Sequence, residues 1–208
     1  MGLRILKLLL TSNGFYNDAI KGQFLKLING EPRDLEVAII TTASPQKDNN
    51  RFAQKAKEDF KDMGFRNIDF IDIEFENPNS LAQTDVIYIN GGNPFKLLFH
   101  TKQSGAESIL RDLVNKNVVI VGVSAGAVLL GPNIKVVHFF TPQMDEFNTN
   151  DFSALGLTDK LIFPHYDRED LFKDSTNKTI EDRLKEFETH EGCEVTRLKD
   201  DEFIVEEK

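Results

Sequence analysis

The chain has 208 residues, and 34 acidic against 25 basic side chains leave a formal charge of −9. That length predicts a single domain over residues 1–208, and 40% hydrophobic with 28% charged residues is a globular rather than a disordered composition. The acidic balance argues against a nucleic-acid partner, and no apolar run is long enough for a membrane span or a signal core.

In chain order, short apolar strands alternate with helical stretches. Arg4–Leu10 is a strand candidate, and Asn17 to Ile28 spaces Ile20, Phe24, Leu27 and Ile28 at helical intervals. Leu35–Thr42 is a second strand, dense in β-branched residues. Phe52 to Met63 carries one apolar stripe and stops at Gly64, as a helix does. Ile68–Ile73 and Val86–Asn90 read as strands, Pro94 to His100 and Gly105 to Asn115 as helices, and Val118–Val123 as a continuous buried strand. Continuous apolar strands separated by helices predict an α/β fold: a doubly wound, mostly parallel sheet flanked by helices.

Beyond Gly131 the pattern loosens. Ile134–Phe140 and Leu161–Pro164 read as strands, and a helix is expected near Thr176–Phe187. Cys193–Leu198 and Glu202–Val205 look like a hairpin turning at Asp200-Asp201. The longest irregular segment is Thr141–Asp151, and in α/β domains such loops tend to border the active site.

The lone cysteine, Cys193, excludes an intrachain disulfide and a cysteine zinc cage, and is expected to be a small packing side chain. Gly2 follows Met1, but Leu6 stands where a myristoylation signal wants serine or threonine. The expectation is a cytoplasmic protein, monomeric or a small homo-oligomer, with no membrane partner.

The chemistry gathers at Gly122-Val123-Ser124-Ala125-Gly126-Ala127. This is G-x-S-x-G between a buried strand and an apolar helix, the setting of a nucleophile elbow that lifts a serine hydroxyl above the sheet edge. The Ala125 amide, opening that helix, is placed to donate to an oxyanion. Asn90-Gly91-Gly92-Asn93-Pro94 follows another strand. If the two strands are neighbours, Gly92 offers a second oxyanion donor unobstructed by a side chain. Of the four histidines, His165 at the end of Leu161–Pro164 is best placed to serve as base. His138 is the second choice, and His100 and His190 read as structural or exposed.

The segments Asn90–Asn93 (NGGN), Gly122–Pro132 (GVSAGAVLLGP) and Pro164–Asp167 (PHYD), in this order, resemble the peptidase E and cyanophycinase type of serine peptidases. The resemblance implies a class I glutamine amidotransferase-like, flavodoxin-like architecture with serine in place of the cysteine nucleophile. It implies hydrolysis of short peptides, with removal of N-terminal aspartate from dipeptides in the peptidase E branch, and no metal or organic cofactor. It assigns Ser124 as nucleophile, His165 as base, and Gly92 with Ala125 as oxyanion donors.

The third member of the triad departs from the pattern. Peptidase E relatives carry an aspartate shortly after the serine, where this chain reads His138-Phe139-Phe140-Thr141-Pro142-Gln143. Among Asp145, Glu146 and Asp167, the choice falls on Glu146 for its longer reach and the glutamate of cyanophycinase-like relatives. An aspartyl substrate also needs a cation, for which Arg168 and Arg183, both following His165, are the candidates. Two other readings carry weight. One is an α/β-hydrolase esterase, although few residues follow Ser124; the other is a non-enzymatic binding protein on the same scaffold, favoured by the missing acid.

Overall fold

The computed structural model describes residues 7–113, 116–173 and 178–207. Strands β1 (Lys7–Thr11), β2 (Glu36–Ile40), β3 (Asn67–Ile71), β4 (Val86–Ile89), β5 (Val119–Val123) and β8 (Phe203–Glu207) form one sheet in the order β3-β2-β4-β5-β1-β8. All pairs are parallel except β1 with β8. The fold is therefore the expected doubly wound α/β sandwich, with an antiparallel edge strand. β6 (Leu161–Pro164) and β7 (Val195–Leu198) make a separate parallel pair.

Every residue of β1, β4 and β5 is buried, which their unbroken apolar runs require of strands covered on both faces. On one face lie α1 (Asp18–Leu27) and α2 (Arg51–Asp62), with Ile20, Phe24, Leu27, Ala56 and Phe60 packed on Leu9, Ile39, Tyr88 and Val121. Four phenylalanines gather here: Phe15, Phe24, Phe60 and Phe65 meet in tilted and edge-to-face pairs, and Phe15 and Phe60 also meet Tyr88, at centroid distances of 5.1–5.8 Å. On the other face lie α3 (Pro94–Gln103), α4 (Ala106–Leu113) and the short α5 (Ala125–Leu130). Asn17, Asn50 and Asn93 cap α1, α2 and α3, their side chains accepting first-turn amides.

Two expectations are corrected. Ile134–Phe140 is not a strand; Lys135–Phe140 is a helix, α6. Its Val136 and Phe140, one turn apart, bury together in a third cluster with Phe163, Leu184 and Phe187, so tertiary packing overrides the β-branched run. The C-terminal pair is not a hairpin either. β7 joins β6, whereas β8 crosses to β1 in the register Lys7↔Glu207 to Thr11↔Phe203.

The helix after His165 is α7 (Ile180–Glu191), opened by a capping box of Thr179 with Asp182. The expected Thr176 start, the Arg4–Leu6 part of the first strand, the Val114–Asn115 end of the fourth helix, and Gly2 of the myristoylation comparison fall outside the described residues. Among the described residues no helix is long and apolar enough to cross a membrane.

Candidate active site

The elbow is sterically dictated. A Cβ on Gly126 would stand 2.2 Å from the Ile89 carbonyl oxygen, and one on Gly122 would stand 2.9 Å from Ala127 Cα. Small residues are thus obligatory on both sides of Ser124. The serine itself sits at φ 50°, ψ −110°, a strained conformation for a residue with a side chain, worth about 1–3 kcal/mol. His165 has φ 58°, so both side chains are held on backbone of positive φ.

β4 and β5 are direct neighbours, as the oxyanion argument required. The Asn90–Asn93 turn is anchored by Asn90 N donating to Ile40 O, Asn93 N to Ala43 O and Asn93 Nδ2 to Met144 O. Gly91 lies against the serine: a Cβ there would be 3.1 Å from Ser124 Cβ. Gly92, at φ 144°, approaches Ala43 so closely that a Cβ would be 2.4 Å from its carbonyl oxygen. Ala125 is the first residue of α5, where its amide has no intrahelical acceptor.

Ser124 Oγ is 3.0 Å from His165 Nε2, and His165 Nδ1 is 2.6 Å from Asp200 Oδ1. The carboxylate beside the histidine is therefore Asp200 and not Glu146. Glu146 is exposed, and Asp145 is occupied by its own loop, accepting from Phe147 N, Thr149 N and Thr149 Oγ1. Asp167 contributes indirectly, its Oδ1 accepting from Asp200 N at 3.0 Å.

β6 and β7 run in parallel with Pro164 opposite Leu198, so the chain segments leaving both carboxyl ends lie side by side. One carries His165, the other Asp200. Ser12, just past β1, ties them to the main sheet: its Oγ donates to Leu198 O at 2.7 Å and accepts from His165 N at 3.1 Å.

Neither arginine expected to bind substrate borders the cavity at Ser124. Arg183 is buried, donates to the carbonyls of Phe172 and Phe140, and stacks 4.1 Å over the Phe140 ring. Burial behind that ring makes it a structural cation. Arg168 pairs with Asp170 and reaches Asp200 Oδ2 at 3.4 Å, the carboxylate oxygen that does not meet His165. Hydrogen bonding to Asp170 and Asp200 holds its guanidinium well above the usual arginine range.

The cavity measures about 740 Å³ and runs from Ser124 and His165 past Asn90 and Tyr88 to Lys21, Lys55 and Asp59. The Asp59 carboxylate is nearly inaccessible and takes both lysines, Lys21 at 2.6 Å. Burial, with Asp59 nearby, raises the Tyr88 hydroxyl above its usual range, keeping it protonated. From the long irregular loop Thr141–Asp151, Met144 reaches the lining.

Of the remaining histidines, His138 is exposed on α6 with its ring 4.6 Å from Phe152, and His190 is exposed on α7. His100 is half-buried, 3.6 Å from Glu74, and burial lowers it. Cys193 packs at the edge of the third cluster, where burial pushes its thiol up and away from nucleophilic character.

The family model of peptidase family S51 matches residues 8–208. An uncharacterized peptidase of Listeria innocua is 31% identical over 176 residues, which span 81% of this chain and 83% of its own. Peptidase E of Salmonella arizonae is 32% identical over 107 residues, 51% of this chain and 44% of that protein. A crystal structure from Listeria monocytogenes, provisionally named a peptidase E protein, aligns over 98% of both chains with a TM-score of 0.75 at 24% identity, a likeness of fold.

Proposed function

The chain belongs to peptidase family S51, and from that premise we propose that it is a cytoplasmic serine peptidase acting on short peptides, including those with N-terminal aspartate. One observation carries the reading. An unbroken relay, Ser124 Oγ to His165 Nε2 at 3.0 Å and His165 Nδ1 to Asp200 Oδ1 at 2.6 Å, opens onto a cavity of substrate size.

Ser124 Oγ attacks the scissile carbonyl carbon while its proton passes to His165 Nε2. Asp200 accepts from Nδ1–H, fixes the tautomer and stabilises the imidazolium that forms. The Gly92 and Ala125 amides hold the tetrahedral oxyanion, and the leaving amine takes its proton from Nε2. Water, deprotonated by the same nitrogen, attacks the ester carbonyl and returns Ser124 with the freed acid.

An inert scaffold was favoured by the missing acid, and Asp200 removes that ground. The esterase reading does not survive the family assignment. A fluorophosphonate probe tests the proposal: it should label Ser124 stoichiometrically, and Ser124→Ala should remove both labelling and dipeptide hydrolysis. Labelling at another residue, or full hydrolysis by the alanine variant, would sink it.

A further inference from the structure

At the carboxyl ends of β1 and β4, two buried side-chain atoms, Thr11 Oγ1 and Asn90 Nδ2, have no hydrogen-bond partner. Asn90 borders the cavity and Thr11 does not. Asn90 is 2% exposed, so its amide has given up water without gaining a protein acceptor. Nor does this side chain hold the turn that it begins; the turn is held by the backbone amides of Asn90 and Asn93 and by the Asn93 side chain. A donor left over on a residue of the cavity wall, next to the glycine that lies against Ser124, is one that a ligand acceptor can complete.

Position says which part of the ligand. Asn90 leads into Gly91, which touches Ser124, on the β4 side of the serine. His165 sits on the opposite side, tied through Ser12 to β1. The leaving amine must face His165 to be protonated, so the acyl residue extends toward β4 and Asn90. In a peptide cut after its first residue, that acyl residue offers few acceptors. Its amino group is an ammonium, and its carbonyl oxygen belongs to the oxyanion donors. The remaining acceptor is an oxygen on its side chain.

We infer that Asn90 is a specificity residue, its side-chain amide donating to a carbonyl or carboxylate oxygen on the side chain of the acyl residue, as aspartyl and asparaginyl substrates provide. This deepens the peptidase reading and rests on it. It also supplies a side-chain donor where Arg168 and Arg183 do not: among the described lining residues the cations are Lys21 and Lys55, both engaged by Asp59.

The test compares Asp-Leu, Asn-Leu and Ala-Leu. Wild type should favour Asp-Leu or Asn-Leu over Ala-Leu in kcat/KM by about tenfold or more. Asn90→Ala should bring that ratio to near one by losing more on Asp-Leu and Asn-Leu than on Ala-Leu, and its ligand-free Tm should equal or exceed that of wild type. The Asp-Leu and Asn-Leu arms distinguish a carboxylate from an amide acceptor. An unchanged ratio overturns the inference. An equal loss on all three peptides also overturns it, assigning Asn90 to the oxyanion or to the fold. Titration calorimetry in the Ser124→Ala background separates the two proposals. If Asp-Leu or Asn-Leu binds the Ser124→Ala protein in an Asn90-dependent manner while wild type hydrolyses none of the three peptides, the peptidase reading fails and Asn90 keeps only its contact with that side chain. Hydrolysis with no dependence on Asn90 is the reverse.

Discussion

Asp167 accepts a hydrogen bond from the backbone amide of Asp200 at 3.0 Å, so the residue two places after His165 positions the carboxylate that faces it. The histidine and its acid are thus joined twice, once ring to carboxylate and once through a neighbour. The prediction is graded. Asp200→Asn should slow fluorophosphonate labelling of Ser124 toward about 10⁴-fold, the loss expected when the imidazole tautomer is no longer held. Asp167→Ala, which only loosens the acid, should cost far less, and Glu146→Gln should label like wild type. A Glu146 effect matching that of Asp200 would reverse the assignment.

Arg183 should report on stability and not on substrate. Removing it leaves the carbonyls of Phe172 and Phe140 without their donor and the Phe140 ring without its cation. Arg183→Ala should lower unfolding stability by about 2–4 kcal/mol in urea melts. The folded fraction should keep the wild-type preference between Asp-Leu and Ala-Leu. A lost preference in a protein of normal stability would restore the arginine to the substrate site.

Lys47 pairs with Asp72 and Glu74, Lys96 pairs with Glu74 at 2.9 Å and His100 lies 3.6 Å from it, and acid sensitivity should have a local source in this cluster. Burial by itself would raise the Glu74 carboxyl, but Lys47 and Lys96 outweigh it and bring it down to about 2. A carboxyl lower in the folded than in the unfolded chain binds fewer protons when folded. Its stabilisation is complete above the ordinary glutamate range and is lost as pH falls from about 4.5 toward 2. Burial lowers His100 as well, so its contribution is lost in the same direction, starting at higher pH. The stability gap between wild type and Glu74→Gln should be widest at pH 7 and shrink at pH 3. A gap that grows on acidification contradicts this account.

The parallel sheet, the glycine-flanked turn at Ser124 and the position of His165 at a strand end beside it were legible because each rests on local pattern: unbroken apolar strands, glycines flanking a serine, a histidine after a short apolar run. The acid was not, because its placement is tertiary. Asp200 reads as the turn of a hairpin, since Cys193–Leu198 and Glu202–Val205 are short segments of strand character with two aspartates between them. Only the parallel pairing of β7 with β6 sets it beside His165. The same limit applies to Lys135–Phe140, where Val-Val next to aromatics suggests a strand until the i, i+4 burial of Val136 and Phe140 is seen. Arg168 and Arg183 lie outside the cavity lining for another reason: proximity to His165 in sequence carries no information about which side of the backbone a long side chain leaves.

The pairing of β8 with β1 also orders events in time. Ribosomal synthesis delivers Ser124 and His165 well before Asp200, and the strand that follows Asp200 must travel back to the first strand of the sheet to be seated. Asn17 helps to hold the arriving segment, its Nδ2 donating to Asp201 O at 3.1 Å. The histidine is thus made before the carboxylate that faces it, and the last strand to be made closes the edge of the sheet beside the first.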